Sequence, residues 1–212
     1  MTDSHEQHPA PPRDAAGWDE RYAGAEQIWS GRPNGVLVAE TEGLPPGRAL
    51  DVGCGEGADA VWLALQGWDV TALDVSQVAL DRAEAAAQDV GVSVRWLCAG
   101  LLEAALPAGG FELVSVQYPA LLRTPGNDAE RALFAAVAPG GTLLVVHHAD
   151  FDAEHAMPHG FDPADYVGHD DLAALLGDGW QVETAERRPR DVRAGAGAHH
   201  THDLVLKARR LG

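Results

Sequence analysis

Leu50-Asp51-Val52-Gly53-Cys54-Gly55-Glu56-Gly57 carries three glycines between an apolar run and a helical pattern. It closes a short apolar run, 49–52, that reads as a strand. Glycine then recurs at every second position. Glycine has no Cβ, so the backbone can turn through left-handed conformations and come close to a ligand. Directly after the turn, Ala58, Val61, Trp62 and Leu65 follow the i, i+3, i+4, i+7 spacing of an amphipathic helix, which Gly67 ends. A strand, a glycine-rich turn and a helix open a βαβ unit.

Working outward, the same alternation continues. Strands are expected at 69–74, 92–98, 111–116 and 142–148, the last following a Pro139-Gly140-Gly141 turn. Two more are expected at 180–186 and 202–208, joined by a Gly/Ala/Arg-rich loop over 187–200. Ser76 is placed to cap a helix running to Val90. Asn127 with Glu130 reads as a capping box for a helix through Val137. A short helix over 170–176 closes at Gly177. Upstream, residues 1–16 read as a tail and 17–46 as a helical cap. In that cap Trp18, Tyr22 and Trp29 recur at offsets of 4 and 7, both helical spacings. Residues 47–212 then form an α/β domain. The expectation is a Rossmann-like, seven-stranded, mainly parallel sheet with helices on both faces and the last strand antiparallel. Ligands of such sheets bind at the carboxyl ends of the strands.

Composition removes whole classes of function. The 212 residues carry 15 Lys+Arg against 32 Asp+Glu, a formal charge of −17. Such a chain repels phosphate backbones and anionic lipid heads, so neither nucleic acid nor membrane is an expected partner. The single lysine, Lys207, cannot make a polybasic patch. No apolar run reaches the roughly 18 residues of a membrane span, and 1–13 has no signal-peptide core. Two cysteines, Cys54 and Cys98, agree with a reducing compartment. A cytoplasmic protein, monomer or homodimer, is expected.

The chemistry starts at the turn. Its spacing is G-x-G-x-G rather than the G-x-G-x-x-G of pyrophosphate binders. Glu56 and Asp59 would oppose two phosphates at this helix start. Asp51 ends the first strand, and Asp74 ends the second 23 residues later (74 − 51). A carboxylate at that strand end can accept both hydroxyls of an adenosine ribose. Carboxylates around the turn suit a cofactor that carries an ammonium group and a sulfonium.

Together these residues resemble the class I S-adenosylmethionine-dependent methyltransferases, whose D-x-G-x-G-x-G motif is matched by Asp51, Gly53, Gly55 and Gly57, and whose ribose acid is matched by Asp74. Phe111-Glu112-Leu113-Val114 is similar to that family's fourth strand, and Pro139-Gly140-Gly141 to its turn before strand five. The likeness runs over about 48–148, and the cap and size are similar to the small bacterial TehB-like group that methylates small molecules. The resemblance implies S-adenosylmethionine as cofactor. Its methionine part would lie on the turn, Cys54 and Glu56 included, with Gln117 nearby. Its ribose would lie on Asp74 and Val75. Its adenine would be read after strand three, where Gly100 replaces the family's usual Asp and backbone groups near Leu101 must serve. Trp29 would cover the cofactor. Arg32 would pair with its carboxylate, or else be a surface cation.

Candidates for the transfer step follow strands four and five. Gln117-Tyr118-Pro119-Ala120 has the position but not the letters of the N/D-P-P-Y loop of amine-methylating enzymes. Tyr118 would line the donor cleft, or pack the strand end. His147 or His148 would be a general base, with only one facing the cleft because strand side chains alternate. A histidine held structurally by hydrogen bonds is the alternative. The segment 149–168, with Met157, Phe161 and Tyr166, is long enough to be a lid. Eight of the ten histidines lie between 147 and 202, yet no compact metal-ligand spacing such as H-E-x-x-H occurs, and no metal site is assigned. Arg187, Arg188, Arg190 and Arg193 either pair within the chain or meet an acidic substrate. The expected function is in-line methyl transfer to a small molecule. A non-catalytic cofactor-binding module, a nicotinamide oxidoreductase and a histidine-rich metal or metalloid handler are the alternatives.

Overall fold

A computed structural model describes residues 11–149, 162–190, 195 and 199–212. His155, Met157, His159 and Phe161 of the expected lid, and Arg193, lie outside the described residues. The strands are β1 (Arg48–Val52), β2 (Asp69–Asp74), β3 (Arg95–Cys98), β4 (Phe111–Gln117), β5 (Val137–His148), β6 (Trp180–Pro189) and β7 (His202–Arg210). They form one sheet in the order β3-β2-β1-β4-β5-β7-β6. β7 lies antiparallel between β5 and β6, and the pairings from β3 to β5 are parallel. This is the expected Rossmann-like sheet.

The helices are α1 (Ala15–Ala23), α2 (Gly35–Thr41), α3 (Ala58–Leu65), α4 (Gln77–Asp89), α5 (Asp128–Ala136) and α6 (His169–Leu175). The pleat divides the core into two layers. Leu50, Val52, Val114, Val116, Leu143 and Val145 face α5 and α6 and pack with Leu133 and Leu172. Ala49, Leu113, Leu144, Val146 and Val205 face α2 and α3 and pack with Leu37 and Leu63. Full burial of each such leucine stabilises the fold by about 1.5–3 kcal/mol. Among the described residues no helix is long and apolar enough to cross a membrane.

Several boundaries differ from the sequence reading, each for a local reason. α1 begins at Ala15, inside the expected tail, because Asp14 caps it through the Gly17 N–H at 2.8 Å. It stops at Ala23, so Trp29 is a loop residue and meets Tyr22 through a side-chain bond instead of along a helix face. β3 starts at Arg95 rather than 92, because the Val92 N–H still closes the end of α4 on the Ala87 carbonyl at 3.0 Å. Pro139-Gly140-Gly141 is not a turn before β5 but lies within it. The β4–β5 register shifts between Phe111 and Leu113, and Gly140 takes φ 77°. A bulge absorbs those residues without ending the strand.

Candidate active site

The glycine-rich turn hangs from the end of β2. The N–H groups of Gly53 and Cys54 both donate to the Leu73 carbonyl, at 2.8 and 3.0 Å. Gly53, Gly55 and Gly57 have φ of 72°, 52° and 80°, left-handed values that L side chains tolerate poorly. Each glycine answers a different demand. A Cβ on Gly57 would lie 2.6 Å from the Ala83 Cβ, so this glycine lets α3 and α4 close together. A Cβ on Gly55 would lie 2.9 Å from Tyr22 Oη and 3.0 Å from Trp29 Nε1. A Cβ on Gly53 would meet nothing within 4 Å; here the backbone is open to a ligand.

Three carboxylates lie behind the turn. Asp51 is 2% exposed, and its Oδ2 is buried with no hydrogen-bond donor among the described residues. Burial, then the charges of Asp59 and Asp74, raise its pKa well above the ordinary carboxylate range. Asp59, in the first turn of α3, accepts from the Asn34 N–H and Nδ2, both at 2.7 Å. Asp74 accepts from the Gly55 N–H at 2.8 Å and the Ser76 N–H at 2.9 Å. Burial raises the pKa of both. Among the ion pairs of the described residues, none involves these three acids. Buried charge of one sign is costly until a cation arrives. The orphaned Asp51 oxygen and the open Gly53 therefore fit a ligand bearing an ammonium and a sulfonium.

Glu56 has another use. Its carboxylate accepts from the N–H groups of Ile28 (3.2 Å) and Trp29 (2.9 Å) and pairs with Arg82 Nη1 at 2.8 Å. Arg82 Nη2 donates to the carbonyls of Tyr22 and Ala25, at 2.7 and 2.6 Å. Glu56, expected on the cofactor, is thus the anchor of the cap, and a cofactor contact would have to displace two backbone donors. Arg32 is exposed and turns on Ser30 through backbone groups. Arg21, not singled out in the sequence, is half-buried with its guanidinium carbon 5.3 Å from the Trp18 ring and 6.0 Å from the Trp29 ring.

Beyond β2 and β3, Cys98 Sγ donates to the Val75 carbonyl at 3.7 Å, and a Cβ on Gly100 would stand 3.8 Å from Val75 Cγ1. Leu101 turns its side chain into the core and is 5% exposed, leaving its backbone for recognition. A side chain grown on Gly100 would run into the Glu103 carboxylate. A carboxylate therefore stands near that place after all, supplied from three residues on. Cys54 is half-buried, and desolvation raises the pKa of its thiol.

The ends of β4, β5, β6 and β7 build a second cluster on the α2–α3 face. Tyr118 sits at φ 51°, a strained conformation for a tyrosine, fixed by its N–H on the Val146 carbonyl at 2.8 Å. Its hydroxyl donates to Asp203 Oδ2 at 3.0 Å. Arg190 lies over its ring at 4.6 Å and 3.7 Å from Asp203 Oδ1, its side chain 7% exposed and that of Asp203 2%. His148 stacks between Tyr118 (4.2 Å) and His200 (3.8 Å). Burial first, then the His200 and Arg190 charges, lower its pKa to about 2. Gln117 Nε2 donates to Ser115 Oγ at 3.1 Å, while its Oε1 is buried with no donor among the described residues. His147 points to the opposite face, where Nε2 meets the Val167 carbonyl at 3.2 Å and burial lowers its pKa to about 4. The structure thus joins Tyr118 and His148 and separates His147 from them. Arg188 pairs with Glu40 and Glu186, so this arginine, like Arg190, has its partner within the chain.

Asp203 was not legible as a site residue, and Arg190 was legible only as one of a basic group that either pairs within the chain or meets an acidic substrate. They lie at the start of β7 and the end of β6, and only the antiparallel insertion of β7 brings them to the carboxyl ends of the parallel strands.

A family model described as a methyltransferase domain matches residues 49–141. Over those residues the chain is similar to methyltransferase domains. An uncharacterized methyltransferase of Mycobacterium tuberculosis is 41% identical over 98 residues, 46% of this chain and 48% of that protein. The chain spans about half the length of the curated relatives it matches. The fold of the chain is similar to that of two solved structures. One is N-methyltransferase NodS from Bradyrhizobium japonicum, in complex with S-adenosyl-L-homocysteine. It has a TM-score of 0.69 and 19% identity, covering 93% of this chain and 98% of that one. The other is TehB from Haemophilus influenzae, with a TM-score of 0.65 and 13% identity, covering 93% and 67%. The cap, His148, Arg190 and Asp203 all lie outside the residues that the family model matches.

Proposed function

We propose that this chain transfers a methyl group from S-adenosylmethionine to a small molecule by in-line displacement. The observation that carries the reading is the buried, partnerless Asp51 Oδ2 behind a left-handed glycine turn whose outer face at Gly53 is open. Bound there, the sulfonium supplies an activated methyl and a neutral thioether leaving group. The chain's own residues supply placement. Gly53 admits the ligand backbone-close, Asp51 offers an acceptor to a cationic group, Asp74 offers the ribose acid, and Val75 with the backbone after β3 flanks the adenine. Glu103 replaces the carboxylate missing at Gly100.

Tyr118 and His148 wall the acceptor side. Their part is alignment, because burial leaves His148 and His147 weak bases. This favours an acceptor that arrives without a proton to remove, such as a thiolate or another soft nucleophile. The charge of −17 opposes a polyanionic substrate, which favours a small molecule. A cytoplasmic site of action agrees with the two free cysteines.

Calorimetric titration with S-adenosylmethionine and S-adenosylhomocysteine tests the cofactor. One-to-one binding at micromolar concentration is expected, and Asp74→Ala and Asp74→Asn should each lose it by at least tenfold. Failure of the wild-type protein to bind either compound would end the reading.

A further inference from the structure

The cluster at the ends of β4 to β7 holds one ring in a defined protonation pattern. β1 and β4 are neighbours, with Val52 beside Val116, so the cluster starts next to the glycine turn. His148 Nδ1 lies 3.5 Å from Arg190 Nη1. A guanidinium only donates, so Nδ1 is the accepting nitrogen, and a neutral imidazole then carries its one proton on Nε2. Asp203 Oδ1, the oxygen that could instead draw a proton onto Nδ1, stands 3.9 Å away, beyond hydrogen-bond distance. Burial first, then the charges of His200 and Arg190, keep the ring neutral. Its plane is fixed by stacking on Tyr118 and His200, at 4.2 and 3.8 Å. Arg190 is itself seated, 4.6 Å from the Tyr118 ring centroid and with Nε 3.7 Å from Asp203 Oδ1. The His148 side chain is 22% exposed, and its Nε2 is neither a buried atom nor bonded to another described residue. The ring therefore turns its N–H edge outward and its lone pair toward the guanidinium.

We propose that His148 is an N–H donor rather than a base and seats a small thiolate acceptor, and that Arg190 is the positioning residue that keeps its proton on Nε2. This rests on the methyl-transfer reading above and adds the group that holds the acceptor. A thiolate offers lone pairs and no proton, the complement of an outward N–H. The guanidinium behind the ring polarises that N–H further toward an anion. In the transfer, one lone pair of the thiolate sulfur becomes the new sulfur–methyl bond. The old sulfur–methyl bond returns its pair to the departing sulfur, and no proton has to leave. His148 keeps its own proton throughout. A base at this position would need the opposite arrangement, with Nε2 bare and the Nδ1 proton on a carboxylate.

Long-range proton–nitrogen correlation spectra of the imidazoles test the tautomer on the full chain, with the His148 signals assigned through His148→Gln. At pH 7.5 the wild type should show a bare Nδ1 and a protonated Nε2. Arg190→Lys should keep that pattern and Arg190→Met should mix in the other tautomer, with melting curves to confirm that both are folded. A wild-type Nδ1 that carries a proton overturns the proposal. Titration of the S-adenosylhomocysteine complex with hydrosulfide, methanethiolate and benzenethiolate tests the ligand. At least one should shift the Nε2 proton signal. His148→Leu should weaken binding of that thiolate by about 10- to 100-fold, the range of a hydrogen bond to a charged group. His148→Gln, which keeps a donor near the same place, should recover most of the loss. Three thiolates that leave the Nε2 proton unmoved, or a loss as large in His148→Gln as in His148→Leu, also overturn the proposal and leave the cofactor reading standing. A wild type that does not bind S-adenosylhomocysteine overturns both.

Discussion

Asp51 shows how one side chain ties stability to ligand. Its folded pKa lies above its unfolded one because burial and the acids at 59 and 74 disfavour the charge. The folded state then holds the proton more tightly, so stability falls as pH rises from the unfolded pKa to the folded one, and stays lower above it. The sign is opposite to that of a paired surface acid such as Glu112, whose pKa is pulled down to about 2 by Arg48. Without ligand, Asp51→Asn should therefore raise the urea midpoint at pH 7.5 and flatten its decline between pH 4 and 7. The same change should weaken S-adenosylmethionine binding. A midpoint that drops at pH 7.5 would show that the carboxylate holds the turn rather than awaiting a cation.

At the scale of elements, the first part of the cap is stapled rather than packed, whereas α2 packs Val36 and Leu37 into the core. α1 buries only Tyr22 among its residues. α1 and the loop after it are held instead by the Arg82–Glu56 pair and its four backbone bonds, by Asp19 on the start of α4, and by Asn34 on Asp59. Arg82→Met should cost about 1.5–3 kcal/mol, the range for hydrogen bonds to charged groups. It should also make the Arg21–Tyr22 bond a fast tryptic site, read by limited proteolysis; cleavage no faster than in the wild type would mean the staple is dispensable. These staples mark the limit of what the sequence shows. The βαβ run, the turn and the two strand-end acids carry short-range patterns, and they were legible from Ala49 to Asp74. Trp29 at a helical offset from Tyr22 was read as a helix face, because spacing cannot show that α1 stops at Ala23. Glu56 inside the motif was read as a ligand for a related reason: its partners, residues 28, 29 and 82, are remote in sequence. Asp203 and Arg190 depend on strand insertion, a long-range event that leaves no local pattern.

Across the whole molecule, the excess of acids has a thermodynamic cost. Like charges repel more strongly in the compact state than in the unfolded chain, and salt with a Debye length near 8 Å at 0.15 M screens that repulsion. Raising KCl from 0.02 to 0.5 M should raise the melting temperature of the unliganded protein, with no change in the sharpness of the transition. A lower melting temperature in salt would mean that local pairs such as Arg48–Glu112 and Arg188–Glu40 outweigh the net charge.

The place of β7 sets a further order of events. A ribosome delivers residue 48 long before residue 210, so the cap, the glycine turn and β1 to β5 emerge while β7 is still unmade. Until β7 slots between β5 and β6, the nascent sheet has an open edge at β5 that neighbouring chains could pair with. Tyr118 also waits for the partner of its hydroxyl, since Asp203 arrives on that same last strand. A partly synthesised chain therefore owns the glycine turn before it owns the Tyr118–Asp203 pair, and the two come together only once β7 has emerged.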